Sequence, residues 1–243
     1  MTSHVGLISA VPQEGMTIMK HLGITDSMIS QGLVFSVGKI HNKSTVSVAT
    51  GIGKTNASRG ATILIERFSP TIIINFGIGG AYPLSGLNIG DIAIAEKEIY
   101  GDEGVSLKDG FHTAEMIGIP FVVKGRKKYF NEFQLNKKLL KNALNLSTKH
   151  LASGIRVRSG SFLTLSTCTG TLKRTGELEK RFHAICENME GAAIAHICTA
   201  YGIPMIEIRG ISNTVGDRDR KKWNVKTAAE NCQKFVIEFL RRL

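Results

Sequence analysis

Short apolar runs alternate with amphipathic stretches along the whole chain, a pattern typical of α/β proteins. The runs that predict strands are residues 5–11, 34–37, 45–50, 71–76, 91–99, 155–165, 184–186 and 204–211. The stretches that predict helices are residues 13–22, 54–66, 137–146, 190–201 and 227–240. This alternation predicts a three-layer αβα fold around a central, mostly parallel mixed sheet.

The most hydrophobic run, residues 71–76, is rich in β-branched side chains and is expected at the centre of the sheet. Residues 34–37 and 45–50 are interpreted as a hairpin. A long polar loop is expected after the strand 91–99 and reaches Ile119. No proline-rich linker, composition break or internal repeat divides the chain. We therefore expect a single domain that covers residues 1–243.

Composition favours a soluble protein. Hydrophobic residues make up 42% and charged residues 21% of the 243 positions, and no apolar run approaches about 18 residues. The N-terminus lacks the pattern of a signal peptide. The cysteines show neither CxxC pairing nor metal-site spacing; they are Cys168, Cys186, Cys198 and Cys232. We expect reduced thiols, no metal site, no membrane association and a cytoplasmic location.

The net charge of +11 raises the question of nucleic-acid binding. The basic residues, however, stand in short separate groups, and aromatic residues, at 7%, do not alternate with them as in proteins that bind single strands. A solvated basic surface explains the charge without a partner, and it would also attract a small anionic substrate. No nucleic-acid partner is expected.

Two glycine-rich segments after predicted strands resemble phosphate-binding motifs. Gly53-Lys54-Thr55 resembles the end of a P-loop, but Val48 stands where the first glycine is required. The segment 77–79 resembles the start of a Rossmann motif, but Tyr82 stands where a glycine or alanine is required. No cofactor is expected, and we interpret both segments as strand-ending glycine turns that let a ligand approach the backbone.

Three polar residues, Glu14, Glu190 and Asn213, follow predicted strands. A glutamate in the first turn of a helix commonly caps it or interacts with its dipole, and an asparagine at a strand end commonly forms a turn. The carboxyl ends of parallel strands are, however, where open α/β sheets bind their ligands. The three residues are therefore candidates for one site.

Four segments of the chain form a fairly specific combination. They are the strand 5–11 that leads to Glu14, and the segments 51–54 (Gly-Ile-Gly-Lys), 75–80 (Asn-Phe-Gly-Ile-Gly-Gly) and 188–193 (Asn-Met-Glu-Gly-Ala-Ala). Their order and spacing resemble the nucleoside phosphorylase/nucleosidase superfamily, most closely its hydrolytic branch, which includes the methylthioadenosine/S-adenosylhomocysteine nucleosidases. The resemblance implies a small-molecule nucleoside substrate and a homodimer, since a neighbouring subunit often completes this family's 5′ pocket.

The resemblance also implies roles for individual residues. Glu190 would bind the ribose 2′- and 3′-hydroxyls and Met189 would pack against the sugar, while Ile78 and Gly79 would contact the substrate. A carboxylate is suited to the ribose because it accepts two hydrogen bonds and favours developing positive charge. Glu14 would orient and deprotonate the attacking water.

Hydrolysis is favoured over phosphorolysis. A phosphorylase needs cationic donors that converge on phosphate, and the segment 74–80 contains no arginine. The carboxylate of Glu14 would repel phosphate, although it suits an attacking water. Arg59 and Arg209 are the arginines that could in principle still reach the site.

Residues for the base can be named as well. Phe162 or Leu163 is expected to stack on it, and strand parity decides which. Asn213 stands where the methylthioadenosine enzymes carry a catalytic aspartate. Because an asparagine can accept from a protonated purine N7–H and donate to O6, Asn213 fits a 6-oxopurine.

Further segments, 100–105, 166–171 and 211–219 with Trp223, are similar to the futalosine hydrolases. This resemblance implies hydrolysis of the N-ribosidic bond of futalosine with release of hypoxanthine, a step of menaquinone biosynthesis. Three alternatives stay open: a methylthioadenosine/S-adenosylhomocysteine nucleosidase, a purine nucleoside phosphorylase, and a noncatalytic basic binding protein.

Overall fold

The computed structural model describes residues 4–150, 154–216 and 218–243. The strands are β1 (Val5–Ser9), β2 (Gly23–Ser30), β3 (Leu33–Ile40), β4 (Lys43–Ala49), β5 (Ile72–Ala81), β6 (Ile92–Tyr100), β7 (Gly104–Leu107), β8 (Gly110–Thr113), β9 (Val122–Lys124), β10 (Lys127–Tyr129), β11 (Glu132–Gln134), β12 (Val157–Thr164), β13 (Ala184–Asn188) and β14 (Met205–Thr214). The helices are α1 (Pro12–His21), α2 (Lys54–Phe68), α3 (Lys137–His150), α4 (Leu172–Phe182), α5 (Gly191–Tyr201) and α6 (Val225–Arg242). Within these ranges no helix is long and apolar enough to cross a membrane.

A mixed sheet forms the centre of the molecule. Strand β1 pairs in parallel with β4 and β5, β5 pairs in parallel with β14, and β12 pairs in parallel with β6 and β13. The antiparallel hairpins β2-β3-β4 extend one side, and β11 pairs with β6 at the other edge. The predicted α/β fold with a central mixed sheet is confirmed.

Part of this sheet closes on itself. Strand β13 pairs with the end of β5, and β14 pairs with both β5 and β6, so that β5, β14, β6, β12 and β13 form a ring. Glycines allow the closure because a side chain would not fit at these positions. A Cβ at Gly79 would lie 2.5 Å from Cys186 Sγ, and one at Gly80 would lie 2.9 Å from a methyl group of Val215. The carboxyl ends of β5, β13 and β14 consequently meet.

Helices cover both faces of the sheet. On one face α2 and α5 pack together and bury small and branched side chains, among them Ala61, Leu64 and Ile194. On the other face α6 packs between α1 and α3 and buries Phe235 and Phe239. Each face of the sheet therefore has its own apolar core, as in a three-layer arrangement.

Six strands and one helix are absent from the sequence-based prediction: the edge strand β2, the short strands β7 to β11, and helix α4. Strand β2 carries mostly exposed side chains at the edge of the sheet, so it has no buried alternation to reveal it. Helix α4 is rich in charged residues and buries only Thr175 and Leu178. The long polar loop that was expected to reach Ile119 is also wrong, since it contains the hairpin β7-β8.

The second predicted glycine turn is also wrong. Gly77 to Gly80 lie inside β5, which continues to Ala81 and pairs with β14 through this segment. Glycines are tolerated there because the strand must lie close to neighbouring side chains. The first glycine turn is as expected, because Gly51 and Gly53 adopt φ values of +96° and +92° immediately before α2.

Candidate active site

A cavity of about 260 Å³ opens where β1, β5, β13 and β14 end. It is lined by six of the residues singled out from the sequence: Glu14, Ile78, Gly79, Met189, Glu190 and Asn213. Its volume is near the lower end of typical small-molecule pockets, about 300–1,000 Å³. Another depression, of about 350 Å³, lies at the opposite end of β14 beside Pro204 and has no carboxylate in its lining. The first cavity is therefore the candidate active site.

The carboxylate of Glu14 accepts three backbone N–H groups from two segments of the chain. Its Oε2 accepts the N–H groups of Ala10 and Val11 at 3.0 and 3.2 Å, which caps α1. Its Oε1 accepts the N–H of Ile78 in β5 at 2.8 Å. A carboxylate oxygen has two lone pairs, so Oε1 keeps one of them for a water in the cavity. The capping role and a catalytic role are compatible in this residue.

Glu190 lies directly before α5 and is buried. Its Oε1 accepts the N–H of Gly53 at 2.9 Å, and its Oε2 lies 3.6 Å from Nη2 of Arg209. Burial raises the pKa of the Glu190 carboxyl, while Arg209 and the Gly53 N–H oppose this increase. A buried carboxylate with an oxygen toward the cavity is suited to accept hydroxyl groups of a ligand.

Arg209 is fully buried among carboxylates. Its Nε donates to Glu207 Oε1 at 2.8 Å, and its Nη1 donates to the carbonyl oxygen of Ile78 at 3.2 Å. Burial opposes its charge, but Glu207, Glu190 and Glu14 together raise the pKa of the guanidinium above its usual value. This cation therefore keeps Glu14 and Glu190 close together in spite of their like charges.

A buried polar network behind the cavity connects β6 with the start of α5. Glu98 Oε1 accepts from Asn188 Nδ2 at 2.7 Å, and Asn188 Oδ1 accepts the N–H groups of Glu190 and Gly191 at 2.9 and 2.7 Å. Glu98 Oε2 accepts from Thr164 Oγ1 at 2.7 Å. Burial and the neighbouring Glu207 raise the pKa of the Glu98 carboxyl above its usual value. The network holds the backbone that carries Glu190.

Sequence reasoning missed Glu98 and Glu207, and it mentioned Arg209 only as an arginine that could reach the site. Glutamates at apolar positions of the predicted strands 91–99 and 204–211 are the signal that could have revealed the first two, since buried charges are rarely unpaired. Arg59 does not line the cavity, because its guanidinium reaches the carbonyl oxygen of Gln31 on the surface.

Asn213 lies near the end of β14 and faces the cavity. Its Oδ1 accepts from Ser212 Oγ at 2.8 Å, and its Nδ2 donates to the carbonyl oxygen of Thr214 at 3.0 Å. An amide oxygen has two lone pairs and an amide nitrogen two hydrogens, so one acceptor and one donor remain for a ligand. Asp217, from the same motif, lies outside the described residues.

The side chains expected to stack on a base do not line the cavity. Phe162 packs in the core beneath α2 and α5, and Leu163 packs with Tyr82 and Val215 on the other side of β12. Neighbouring residues of a strand point to opposite faces, and both faces of β12 are covered in the ring of strands. The expectation that one of the two would face the ligand is therefore wrong in this structure.

The outer edge of the cavity is formed by the exposed lining residues Ile52, Cys168 and Arg218 and the half-buried Trp223, which we call the rim. The guanidinium of Arg218 lies over the indole ring, 5.3 Å from its centre. Glu187 lies further inside, and its carboxylate is occupied by Thr169 and Tyr82, from which it accepts hydrogen bonds at 2.6 to 2.9 Å.

Comparison with known proteins shows the family to which this chain belongs. The model of the phosphorylase superfamily matches residues 4–241. The chain belongs to the phosphorylase superfamily. It is 35% identical over 195 residues to a futalosine hydrolase of Thermus thermophilus, with 80% of each chain covered. It is 27% identical over 242 residues to a 5′-methylthioadenosine/S-adenosylhomocysteine nucleosidase of Oceanobacillus iheyensis, with 98% of this chain and 99% of the relative covered.

Solved structures of this superfamily have the same fold. A nucleosidase of the same type from Colwellia psychrerythraea, in complex with adenine, superposes with a TM-score of 0.86 at 25% identity and covers 100% of this chain and 96% of its own. A futalosine hydrolase of Helicobacter pylori superposes with a TM-score of 0.84 at 21% identity, covering 100% and 99%. The relatives named here are N-glycosyl hydrolases, and this superfamily member is an enzyme of that class.

Proposed function

We propose that this enzyme hydrolyses the N-ribosidic bond of futalosine and releases hypoxanthine, a step of menaquinone biosynthesis. The observation that carries the proposal is the cavity itself, because Glu14, Glu190 and Asn213 all line this one space. The resemblance of the sequence to futalosine hydrolases supports the choice of substrate.

The ribose is assigned to the part of the cavity beside Glu190. The 2′- and 3′-hydroxyls donate to the Glu190 carboxylate, whose Oε1 is already aligned by the N–H of Gly53. As the bond between C1′ and N9 breaks, its electron pair leaves with the purine, and positive charge develops on the sugar. The buried carboxylates of Glu190 and Glu14 stabilise this charge more than they stabilise the neutral substrate.

The attacking water is assigned to Glu14. Its Oε1 accepts one proton of the water, the water oxygen attacks C1′, and the proton passes to the carboxylate as the new bond forms. Arg209 is neutralised by Glu207 and lies close to both Glu14 and Glu190, so the site offers little net positive charge to a phosphate. This balance favours hydrolysis over phosphorolysis.

The leaving base is assigned to Asn213. The departing purine takes up a proton from solvent at N7, since the amide of Asn213 has no acidic proton to transfer. The remaining lone pair of Oδ1 then accepts the N7–H, and the remaining hydrogen of Nδ2 donates to O6. A 6-oxopurine such as hypoxanthine satisfies both groups. A 6-amino group would instead place its own N–H against the N–H of Asn213 Nδ2, which leaves one of these two donors without a partner.

A second candidate is the hydrolysis of methylthioadenosine or S-adenosylhomocysteine. The relative from Oceanobacillus iheyensis favours it because the match extends over 98% of this chain, further than the match to the futalosine hydrolase. Asn213 separates the two candidates, since its amide pairs fully with a 6-oxopurine and only partly with adenine.

Product analysis tests both candidates. The enzyme is incubated with futalosine, with methylthioadenosine and with inosine, each with and without inorganic phosphate, and the free bases and sugars are identified. We expect hypoxanthine and a free sugar from futalosine in both buffers. Release of adenine alone would favour the second candidate, a sugar phosphate would show a phosphorylase, and no product from any nucleoside would favour a binding protein.

The proposal includes a cytoplasmic homodimer. Apolar side chains are exposed in the segment after β6, at Leu107, Met116, Ile117 and Ile119, and exposed apolar groups of this kind are typical of subunit interfaces. Equilibrium sedimentation measures the mass of the assembly. Ile119→Asp should produce monomers, whereas the exposed Ile29→Asp on β2 serves as the control and should leave the assembly unchanged.

A further inference from the structure

The rim of the cavity carries a positive charge that no acidic side chain of the described residues pairs with. Arg218 forms no ion pair with any residue in the described ranges. The acid that follows it in the sequence, Asp219, accepts from the N–H of Lys221 and lies 3.7 Å from Nζ of Lys222. The stem of Arg218 passes Gly170, where a Cβ would lie 3.5 Å from its Cδ atom. The stem therefore packs against the backbone at Gly170, and the indole of Trp223 fixes the direction of the guanidinium.

The inner part of the cavity has the opposite character. Glu14, Glu187 and Glu190 line it, and Arg209, the one inner cation among the described lining residues, is already engaged by Glu207. An anionic group would be repelled from these carboxylates and attracted to Arg218. A ligand with one neutral end and one anionic end is therefore oriented with its anionic end at the rim.

Trp223 adds a preference for an aromatic group. Its indole is half-buried and lines the cavity, and the guanidinium of Arg218 lies over the ring. An aromatic ring beside an indole gains from offset or edge contacts beyond the burial of its area. A carboxylate on such a ring would lie within reach of the guanidinium, which binds carboxylates in a fixed planar geometry.

We propose that Arg218 and Trp223 form a subsite for an aromatic carboxylate at the 5′ end of the nucleoside substrate. The inference rests on the proposed function for its orientation, because the base and ribose occupy the inner part of the cavity and leave the 5′ substituent to point to the rim. Arg218 binds the carboxylate and Trp223 contacts the ring. The two residues determine specificity and take no part in breaking the bond.

Binding can be measured without turnover. Trp223 is the single tryptophan of the chain, so its fluorescence reports on the rim directly. The probes are 3-methoxybenzoate and its uncharged amide, titrated with correction for absorbance. We expect the carboxylate to change the fluorescence saturably and to bind at least tenfold more tightly than the amide, as one charge-assisted hydrogen bond would provide.

Two variants locate the effect. In Arg218→Met the difference in affinity between the carboxylate and the amide probe should disappear. Arg220→Met removes the same charge from the short helix Arg220–Lys222, which does not line the cavity, and this variant should still bind the carboxylate more tightly than the amide. Equal binding of the two probes to the unmodified enzyme, or equal losses in both variants, would overturn the subsite.

Kinetics supply an independent measurement. The ratio of kcat/KM for futalosine to kcat/KM for inosine should fall at least tenfold in Arg218→Met, mainly through KM, and should be unchanged in Arg220→Met. If the unmodified enzyme released no base from futalosine, the proposed function would fail, and the fluorescence titration would still decide the subsite. If it did release the base but Arg218→Met kept the ratio, only the subsite would fail.

Discussion

Single residues in this site serve the fold and the cavity together. Glu14 caps α1 through Oε2 and presents Oε1 to the cavity, while Glu190 precedes α5 and accepts the N–H of Gly53 from the turn before α2. Such carboxylates are held in one orientation by backbone donors before a substrate arrives. Preorganisation of this kind is the main way in which enzymes stabilise developing charge.

Glu14→Gln is expected to lower kcat by about 10²–10⁴-fold, because an amide keeps the hydrogen-bond geometry but cannot accept the proton of water. Substrate binding should change little, and a thermal unfolding curve controls for loss of folding. Turnover comparable to that of the unmodified enzyme, measured with folded protein, would contradict the role of general base.

The raised pKa of the Glu190 carboxyl predicts how kcat/KM falls at acidic pH. Its pKa is raised by burial, so it takes up a proton at a higher pH than an ordinary glutamate, whose pKa is about 4.3. If the ionised form binds the ribose, kcat/KM should fall as the pH is lowered through this raised pKa. The residual activity of Glu190→Gln should lack that limb. A limb at or below about pH 4.3 would speak against the assignment.

Asn213→Asp is expected to shift specificity from 6-oxopurines toward 6-aminopurines. The aspartate repels O6 and can accept from a 6-amino group, and a mismatch of this kind in a buried pocket costs about 1–3 kcal/mol. The ratio of activity on paired 6-oxo and 6-amino nucleosides should therefore change by roughly tenfold or more. An unchanged ratio would leave Asn213 as a residue of the strand end only.

At the scale of elements, the site depends on glycines where two elements approach closely. A Cβ at Gly77 would lie 2.5 Å from Glu14 Oε1 and 2.9 Å from Arg209 Nη1, so the bare backbone of β5 lets α1 and β14 bring these groups together. At the start of α5, a Cβ at Gly191 would collide with carboxyl oxygens of Glu98 and Glu207. These positions need glycine for space, since neither has a positive φ.

Gly191→Ala is expected to destabilise the protein by about 1–3 kcal/mol, because neither buried carboxyl can move without losing hydrogen bonds. The matched control is Gly176→Ala in the middle of α4, where nothing lies within 4 Å of the added Cβ. That change should stabilise the helix by up to about 1 kcal/mol. Chemical denaturation measures both, and equal effects would refute the argument from close packing.

At the scale of the whole molecule, the net positive charge and the acidic cavity act on different steps, the encounter with substrate and the reaction. The net charge of +11 creates an attractive field for an anionic substrate, while the inner cavity is lined by carboxylates. Local ion pairs, such as that of Lys54 with Asp102 and Glu103, neutralise only a part of the basic surface. The field therefore acts on the encounter and not on the bond-breaking step.

Raising the ionic strength is expected to lower kcat/KM for a carboxylated nucleoside with little change in kcat. Salt shortens the range of the field to about 8 Å at physiological concentration, so attraction from the wider surface is lost first. Inosine, which is uncharged, serves as the control and should show a weaker dependence. Equal salt dependence of the two substrates would exclude steering by the protein charge.

The sequence by itself determined the α/β class, most strands and helices, and the candidates Glu14, Glu190 and Asn213. These features follow from local patterns in the sequence. Short apolar runs indicate buried strands, and polar residues just beyond parallel strands converge at one edge of a sheet. Motif resemblance added the superfamily, which the family comparison confirmed. The exposed strand β2 and the charged helix α4 stayed hidden because neither has a strong apolar pattern.

Only the tertiary structure decided which side chains meet. Glu98 and Glu207 are 109 positions apart, and their contact depends on β14 pairing with both β5 and β6 to close the ring of strands. The same closure covers both faces of β12, which buries Phe162 and Leu163 together instead of turning one of them to the ligand. Periodicity describes the faces of one strand, whereas burial depends on what packs against each face, and that is a property of the assembled sheet.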